Sequence, residues 1–181
     1  GISGGVDSSW ALVKAVELGL RPLAVHMDNG WNSELAQSNI YNLIKELNID
    51  LFTYVIDWTE YRNLMQSFFD ADVIDIEILY DNAMLSVNYN QAYKIKTKFI
   101  LTGCNTSTEG IKMPTNWNWC KFDKKGIFSL AKRSNIKINS FPSIGTNEKI
   151  FFEIINGIKF IPFLDYFPYN KENALKVLKD Q

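Results

Sequence analysis

The sequence holds few of the residues that build cysteine-based or histidine-based sites. It has two cysteines, Cys104 and Cys120, and one histidine, His26, among 181 residues. The cysteines form no CxxC pair, which argues against a zinc site or a disulfide framework, and free or buried thiols are typical of a cytosolic protein. A Ser–His–Asp triad is hard to build around a single histidine inside an apolar strand pattern. We therefore expect a cytoplasmic protein without serine-hydrolase chemistry.

The chain also lacks an excess of either charge and lacks a long hydrophobic run. Lys and Arg number 19 and Asp and Glu number 20, for a formal net charge of −1, so the charge balance does not favour a nucleic-acid partner. Residues 151–166 are rich in large apolar side chains, but Glu153, Lys159 and Asp165 interrupt them. This segment is too short for a bilayer span, and we expect a core helix followed by a buried strand or turn.

Glycine and hydroxyl residues concentrate near the beginning of the chain, in the run Ser-Gly-Gly-Val-Asp-Ser-Ser at residues 3–9. We call these residues the glycine loop. Adjacent glycines let a backbone turn tightly and approach a ligand closely. Asp7, Ser8 or Ser9 can cap the helix whose apolar face begins at Trp10. Backbone N–H groups at a helix N-terminus suit a phosphate, although an ordinary Gly-rich turn is the plainer interpretation.

The glycine loop contains no lysine, so it is not a Walker A loop. Phosphate charge would therefore be met by backbone amides, hydroxyl groups and a metal. Asp7 offers oxygen ligands of the kind that Mg²⁺ prefers.

Helical and strand patterns alternate from residue 7 to residue 102. Helices are predicted at 7–19, from Asn32 or Ser33 to 47, at 58–69 and at 81–96, and strands at 22–27, 51–56 and 98–102. Such alternation predicts an α/β fold, with a parallel twisted sheet and helices on both faces. Ligands bind at the carboxyl ends of such strands. The glycine loop, Asp28-Asn29-Gly30 and residues 103–109 are therefore expected to meet in one crevice.

The patterns weaken from Ile111 onward, where tryptophan, phenylalanine and proline residues make an irregular, aromatic-rich region. Short helices are predicted at 124–133, 147–155 and 170–179. We expect a single domain over 1–181, with 111–181 as a C-terminal extension that forms a lid or faces the substrate.

The run at residues 3–9 resembles the SGGxDS loop of the PP-loop ATP pyrophosphatases, which include GMP synthetase, NAD synthetase and tRNA thiolation enzymes. The resemblance implies an adenine nucleotide α-hydrolase-like fold that binds ATP with Mg²⁺ and cleaves it to AMP and pyrophosphate. It also implies a first strand before Gly1 and a further stretch after Gln181.

The same resemblance implies which residues form the site. ATP is expected to be bound by three groups: Ser3, Gly4, Gly5, Asp7, Ser8 and Ser9; His26, Met27 and Asp28; and Thr102 and Gly103.

Asp7 and Ser8 are expected to be catalytic. Lys112, Lys121 and Arg133 follow the loop that contains Glu109, and one of them, with Lys112 as the first choice, is expected to cover the phosphates when a lid closes. Asp7 and Glu109 are expected to hold Mg²⁺ together. The plainer interpretations are a turn and helix cap after residue 28, a solvated polar loop at 103–110, and solvated lysines.

Longer stretches are similar to the N-acetyl sugar amidotransferase family of the PP-loop enzymes: residues 25–36, 54–58, 75–78, 108–111 and 168–172. The run Trp-Asn-Ser-Glu-Leu at 31–35 is more discriminating than the glycine loop, while Cys104 stands where a small residue such as glycine is expected. The resemblance implies a ligase that adenylylates the acetamido group of an activated N-acetyl sugar and converts it to an acetamidino group.

That family acts in lipopolysaccharide and nonulosonic-acid biosynthesis, and its ammonia is expected from a glutaminase and a cyclase-like partner subunit. The chain itself could form a homo-oligomer. Three alternatives stay open. One is another PP-loop ammonia ligase, related to GMP or NAD synthetase. A tRNA thiolation enzyme would need reactive cysteines in a basic site. A non-catalytic nucleotide-binding module is disfavoured by Asp7 and the Ser8-Ser9 pair.

Overall fold

The computed structural model describes residues 1–106, 110 and 119–179 and shows a mixed α/β chain. Its elements are α1 Val6–Glu17, β1 Ala24–Asp28, α2 Glu34–Leu47, β2 Leu51–Val55, α3 Trp58–Asp70, α4 Ile78–Lys94, β3 Phe99–Thr102, α5 Lys124–Arg133, α6 Thr146–Ile150, a π-helical turn Phe151–Ile155, β4 Lys159–Pro162, a 3₁₀ turn Phe163–Tyr166, and α7 Lys171–Lys179. The predicted alternation is confirmed, with ends shifted by a few residues. None of the helices within these ranges combines the length and the apolarity that crossing a membrane requires.

The strands pair as two short sheets in the described part of the chain, β1 with β2 and β3 with β4. Strands β3 and β4 run parallel, with Phe99 opposite Lys159 and Thr102 opposite Pro162. The first two residues are hydrogen-bonded to both sheets, because Ile2 N–H donates to Val25 O at 2.8 Å and the Gly1 amino group donates to Leu101 O at 3.4 Å. The α/β class is thus confirmed, and the paired strands of the described residues form two short two-stranded sheets.

The chain folds into two compact units. The first unit consists of Gly1–Tyr54, Phe99–Ile111 and Lys159–Gln181, and it contains the glycine loop. The second consists of Val55–Lys98 and Lys112–Ile158. Residues 159–179 therefore belong to the same unit as the glycine loop. The assignment of 1–181 to one domain with an extension from 111 stays a prediction.

Helix α1 is buried on two faces within the first unit. Leu12 and Val13 belong to a core that also contains residues of β1 and α2. The small side chains of Ala11 and Ala15 lie in a second cluster with Phe163 and Leu164. Alanine allows close packing on that face, since its side chain is a single methyl group. Helix α1 is therefore fixed in position by apolar contacts along most of its length.

The second unit contains buried polar side chains that are fully hydrogen-bonded. Asn82 of α4 is 0% exposed, and its Nδ2 donates to Lys121 O and to Ile144 O, both at 2.7 Å. Lys121 Nζ lies 2.7 Å from Asp75 Oδ2 and 2.9 Å from Asp81 Oδ2. Lys121, one of the alternatives to Lys112 for covering a phosphate, is thus held by two carboxylates in the second unit.

Glu60 of α3 is a carboxylate enclosed by backbone donors in the second unit. It is 9% exposed, and it accepts hydrogen bonds from Asn139 N at 2.6 Å and from Ser140 N and Oγ at 3.0 and 2.7 Å. Burial alone would raise the pKa of Glu60, but these hydrogen bonds to the charged form outweigh it and hold the pKa below its ordinary value.

A Glu60→Gln variant should test this arrangement. Because the folded pKa lies below the unfolded pKa, the ionised carboxylate stabilises the fold at neutral pH, and this stabilisation is lost as the pH falls through the folded pKa. We expect the variant to lose roughly 1–3 kcal/mol of unfolding free energy at pH 7. The difference in unfolding free energy between the wild type and the variant should become smaller in acid, as measured by urea unfolding at several pH values. A difference that stays constant across the pH range would contradict this account.

Candidate functional site

The glycine loop lies against the first turns of α2. Gly4 has a φ of +76°, and a Cβ atom on it would lie 2.5 Å from Ala36 O. Asn39 Nδ2 also donates to Gly4 O at 3.3 Å. Glycine is required at position 4 for two reasons, the left-handed backbone and the close approach of α2.

Two serine hydroxyls close the glycine loop on itself. Ser8 Oγ accepts a hydrogen bond from Ser3 N at 3.2 Å and donates to Gly5 O at 3.2 Å. The hydroxyl oxygens of Ser3 and Ser8 lie 3.1 Å apart. Ser9 is buried at 6% exposure. Of these serines, Ser3 is the exposed one, and the loop presents mainly its backbone.

The predicted helix cap is wrong. Helix α1 begins at Val6, its N-cap is Gly5 with φ −81° and ψ 163°, and the cap makes no side-chain hydrogen bond. Asp7 and Ser8 therefore lie inside the first turn instead of before it, because the extended backbone of Gly5 starts the helix earlier. The amides of the first turn therefore have no acceptor from a capping side chain.

The end of β3 touches the first turn of α1 through backbone atoms. A Cβ atom on Gly103 would lie 2.7 Å from Asp7 C and from Ser8 N. No side chain fits there without displacing the helix start or the strand end. The prediction that the glycine loop lies beside the Gly103 strand end is confirmed.

Three hydrogen bonds hold the chain directly before and after Gly103. Thr102 Oγ1 accepts a hydrogen bond from Cys104 N at 2.8 Å. Thr106 donates from its N and Oγ1 to Asp165 Oδ1 at 2.8 and 3.1 Å. The side chain of Cys104 is exposed at this strand end.

The predicted metal ligand Glu109 and the predicted catalytic Lys112 lie outside the described residues. Within the ranges that the structure describes, no group of three or more His, Cys, Asp and Glu side chains could hold a metal ion. Asp7 is the member of the predicted Mg²⁺ pair that the structure places.

The end of β1 carries a polar network around His26. His26 is 6% exposed, its Nδ1 lies 2.9 Å from Ile2 O, and its Nε2 lies 3.3 Å from Asn32 Nδ2. Asn32 Nδ2 also donates to Asp28 Oδ1 at 3.0 Å. Since a backbone carbonyl only accepts, the contact with Ile2 O is a hydrogen bond when His26 Nδ1 carries a proton. At this strand end the side chains of His26 and Met27 are buried and that of Asp28 is half-buried.

Asp7 has a partner that the sequence analysis missed. The hydroxyl of Tyr169 donates a hydrogen bond to Asp7 Oδ1, across 162 residues of sequence. Helical or strand periodicity carries no signal for such a contact. The run at 168–172 is noticeable in the sequence only through its resemblance to other proteins, and that resemblance does not connect it to Asp7.

Comparisons with known proteins give little further information. No protein-family model matches the chain, and no curated protein sequence matches it. One similar solved structure is that of a predicted subunit of tRNA methyltransferase from Methanocaldococcus jannaschii, with 17% sequence identity and a TM-score of 0.48 over 98% of this chain and 73% of that chain.

The contact at Gly103 leads to a test of the site's geometry. A Gly103→Ala variant should lose about 1–3 kcal/mol of unfolding free energy, because the added methyl group overpacks the start of α1. Gly19→Ala is the matched control, since Gly19 has a φ of +75° but no atom within 4 Å of an added Cβ. The control should lose about 1 kcal/mol from backbone strain alone.

Urea unfolding of both variants measures the difference. In ¹⁵N spectra the Ser8 amide signal should move in Gly103→Ala and stay in place in Gly19→Ala. Equal losses, with an unmoved Ser8 signal, would show that the two segments do not touch.

Proposed function

We propose that this chain binds Mg²⁺·ATP at the glycine loop and cleaves it between the α and β phosphates. The observation that carries the proposal is the start of α1, which has Gly5 as its N-cap and lies against the end of β3 at Gly103. Such a helix start offers backbone donors and a partial positive charge to a phosphate. It also lies at a strand end, where ligands of α/β proteins bind. In this proposal the chain has the PP-loop fold, with its small sheets as parts of one twisted parallel sheet.

The residues that are described fit a magnesium ion held mainly by the nucleotide. Mg²⁺ typically takes one or two protein carboxylates and fills its other positions with water and phosphate oxygens. Asp7 supplies one carboxylate, and its Oδ2 takes no hydrogen bond from any other described residue. The ion would neutralise charge on the departing pyrophosphate. Glu109 remains the proposed second ligand and Lys112 the proposed cation over the phosphates.

We further propose that the acceptor of AMP is an activated N-acetyl sugar. The run Trp-Asn-Ser-Glu-Leu at 31–35, which resembles the sugar amidotransferases, begins in the connection after β1 and ends in the first turn of α2. Its Asn32 hydrogen-bonds at the β1 end, and Ala36, directly after the run, touches Gly4 of the glycine loop. The run therefore lies next to the end of β1 and directly before the residue of α2 that touches the glycine loop, which supports a role near the proposed nucleotide site.

The proposed chemistry balances in two steps. The acetamido oxygen attacks the α-phosphorus of ATP, an O-adenylyl imidate forms, and pyrophosphate leaves. Ammonia then attacks the imidate carbon, and AMP leaves with the former amide oxygen to give the acetamidino group. Water competes for the same intermediate, so the site must exclude it. The chain's contribution is orientation and charge stabilisation, and a glutaminase with a cyclase-like partner would supply ammonia.

A second candidate function is tRNA thiolation, and one observation favours it. Cys104 is exposed and follows Gly103 directly, where a sulfur carrier would lie beside the adenylylated base. A Cys104→Ser variant distinguishes the two candidates. Amidotransferase activity should survive this substitution, whereas sulfur transfer should not.

Product analysis tests the proposed function. The chain, incubated with ATP, Mg²⁺, ammonium and nucleotide-linked N-acetyl sugars, should release AMP and pyrophosphate in equal amounts. Asp7→Asn should lower this rate by about 100-fold or more, because it removes a charge that acts on the transferring phosphates. Asp70→Asn is the control, since Asp70 is the exposed last residue of α3 and accepts a hydrogen bond only from Gln66 among the described residues.

Two results would count against the proposal. Release of ADP and orthophosphate would exclude cleavage between the α and β phosphates. An Asp7→Asn variant as active as Asp70→Asn would remove Asp7 from the site.

A further inference from the structure

The segment after β4 is anchored to α1 before it reaches Tyr169. Phe163 and Leu164 are 8% and 0% exposed and pack with Ala11 and Ala15 of α1. The rings of Phe163 and Phe167 meet edge to face, with centroids 5.0 Å apart. Tyr169 itself is partly buried against the same cluster. The chain therefore approaches Asp7 along a fixed path.

The segment is anchored again directly after Tyr169. Asn170 Oδ1 accepts a hydrogen bond from Asn173 N at 3.1 Å, which begins α7. Ala174 of α7 is 0% exposed, and Leu178 packs against the α1 core that contains Leu12 and Val13. Tyr169 thus lies between two anchors that are both packed on α1, the helix that carries Asp7.

The Tyr169 hydroxyl donates to Asp7 Oδ1 from this fixed position. A carboxylate in the first turn of a helix can adopt several rotamers, and a donor on one oxygen selects among them. The hydrogen bond occupies Oδ1 and leaves Oδ2 as the oxygen for a cation. This is the arrangement by which outer groups orient a metal-binding carboxylate.

We propose that Tyr169 is the positioning residue for the Asp7 carboxylate, which it orients for the magnesium ion of Mg²⁺·ATP. The inference rests on the proposed nucleotide site and assigns a role to the segment from Phe163 to α7. Tyr169 touches neither substrate nor reacting atoms in this role. It acts through Asp7, so its loss should change the contribution of Mg²⁺ to binding and not the binding of the nucleotide itself.

Calorimetric titration with ATP, in Mg²⁺ and in EDTA, separates these effects. In the wild type, Mg²⁺ should strengthen ATP binding. In Tyr169→Phe the ratio of ATP affinity in Mg²⁺ to ATP affinity in EDTA should be about 10- to 100-fold smaller than in the wild type, the usual cost of losing an outer partner of a metal ligand. Its ATP affinity in EDTA should stay within about twofold of the wild-type value, since the helix start is intact. Tyr41→Phe is the control, because Tyr41 lies on α2 with 66% exposure, and it should match the wild type.

Each other outcome overturns the inference in a distinguishable way. A wild type that does not bind ATP would remove the proposed function and this inference together. If Mg²⁺ strengthens ATP binding equally in the wild type and in Tyr169→Phe, the positioning role of Tyr169 is wrong, while the proposed nucleotide site stands. If Tyr169→Phe loses ATP affinity by the same factor in Mg²⁺ and in EDTA, Tyr169 supports the helix and does not orient the carboxylate.

A second measurement covers the case in which Tyr169→Phe does not fold. 3-Fluorotyrosine placed at position 169 alone keeps the ring and the hydroxyl group. Its ¹⁹F signal should move when Mg²⁺ is added in the presence of ATP, because the carboxylate that accepts its hydrogen bond becomes a metal ligand. A signal that Mg²⁺ leaves in place would overturn the proposal.

Discussion

The absence of a side chain at Gly103 is the constraint on which the candidate site depends. Backbone atoms of β3 and of the first turn of α1 occupy the space that a Cβ atom would need, with Ser8 N only 2.7 Å from it. Gly4 makes a second contact of this kind with Ala36 of α2. The glycine loop is therefore held between a strand end and a neighbouring helix through backbone contacts. Close packing of this type leaves the backbone amides of the glycine loop little room to move.

Helix α1 connects this local constraint to the core of the first unit. One of its faces is covered by residues of β1 and α2, and another by the segment that follows β4. The burial of these apolar side chains stabilises the unit, and it also determines where Asp7 lies relative to Tyr169. The same packing that holds the fold together thus places a carboxylate and its hydrogen-bond donor beside the glycine loop.

Local patterns were enough to predict the elements, and long-range contacts were not. Helices and strands up to residue 102 follow from the spacing of apolar side chains, and the meeting of Gly103 with the glycine loop follows from the general geometry of strand ends. The cap of α1 was mispredicted because serine and aspartate usually cap helices, whereas here Gly5 begins the helix. The parallel pairing of β4 with β3 and the bond from Tyr169 to Asp7 join distant parts of the chain, and no periodicity encodes them.

The central claim is that the backbone of the glycine loop binds the phosphates of ATP. Chemical-shift mapping of the ¹⁵N-labelled 20.8 kDa chain tests it most directly. On addition of ATP with Mg²⁺, the largest shifts should occur at the amides of Gly4, Gly5, Ser8 and Gly103. Amides of the second unit, such as those near Asn82, should move less. Loop amides that stay in place while the largest shifts fall in the second unit would contradict the account.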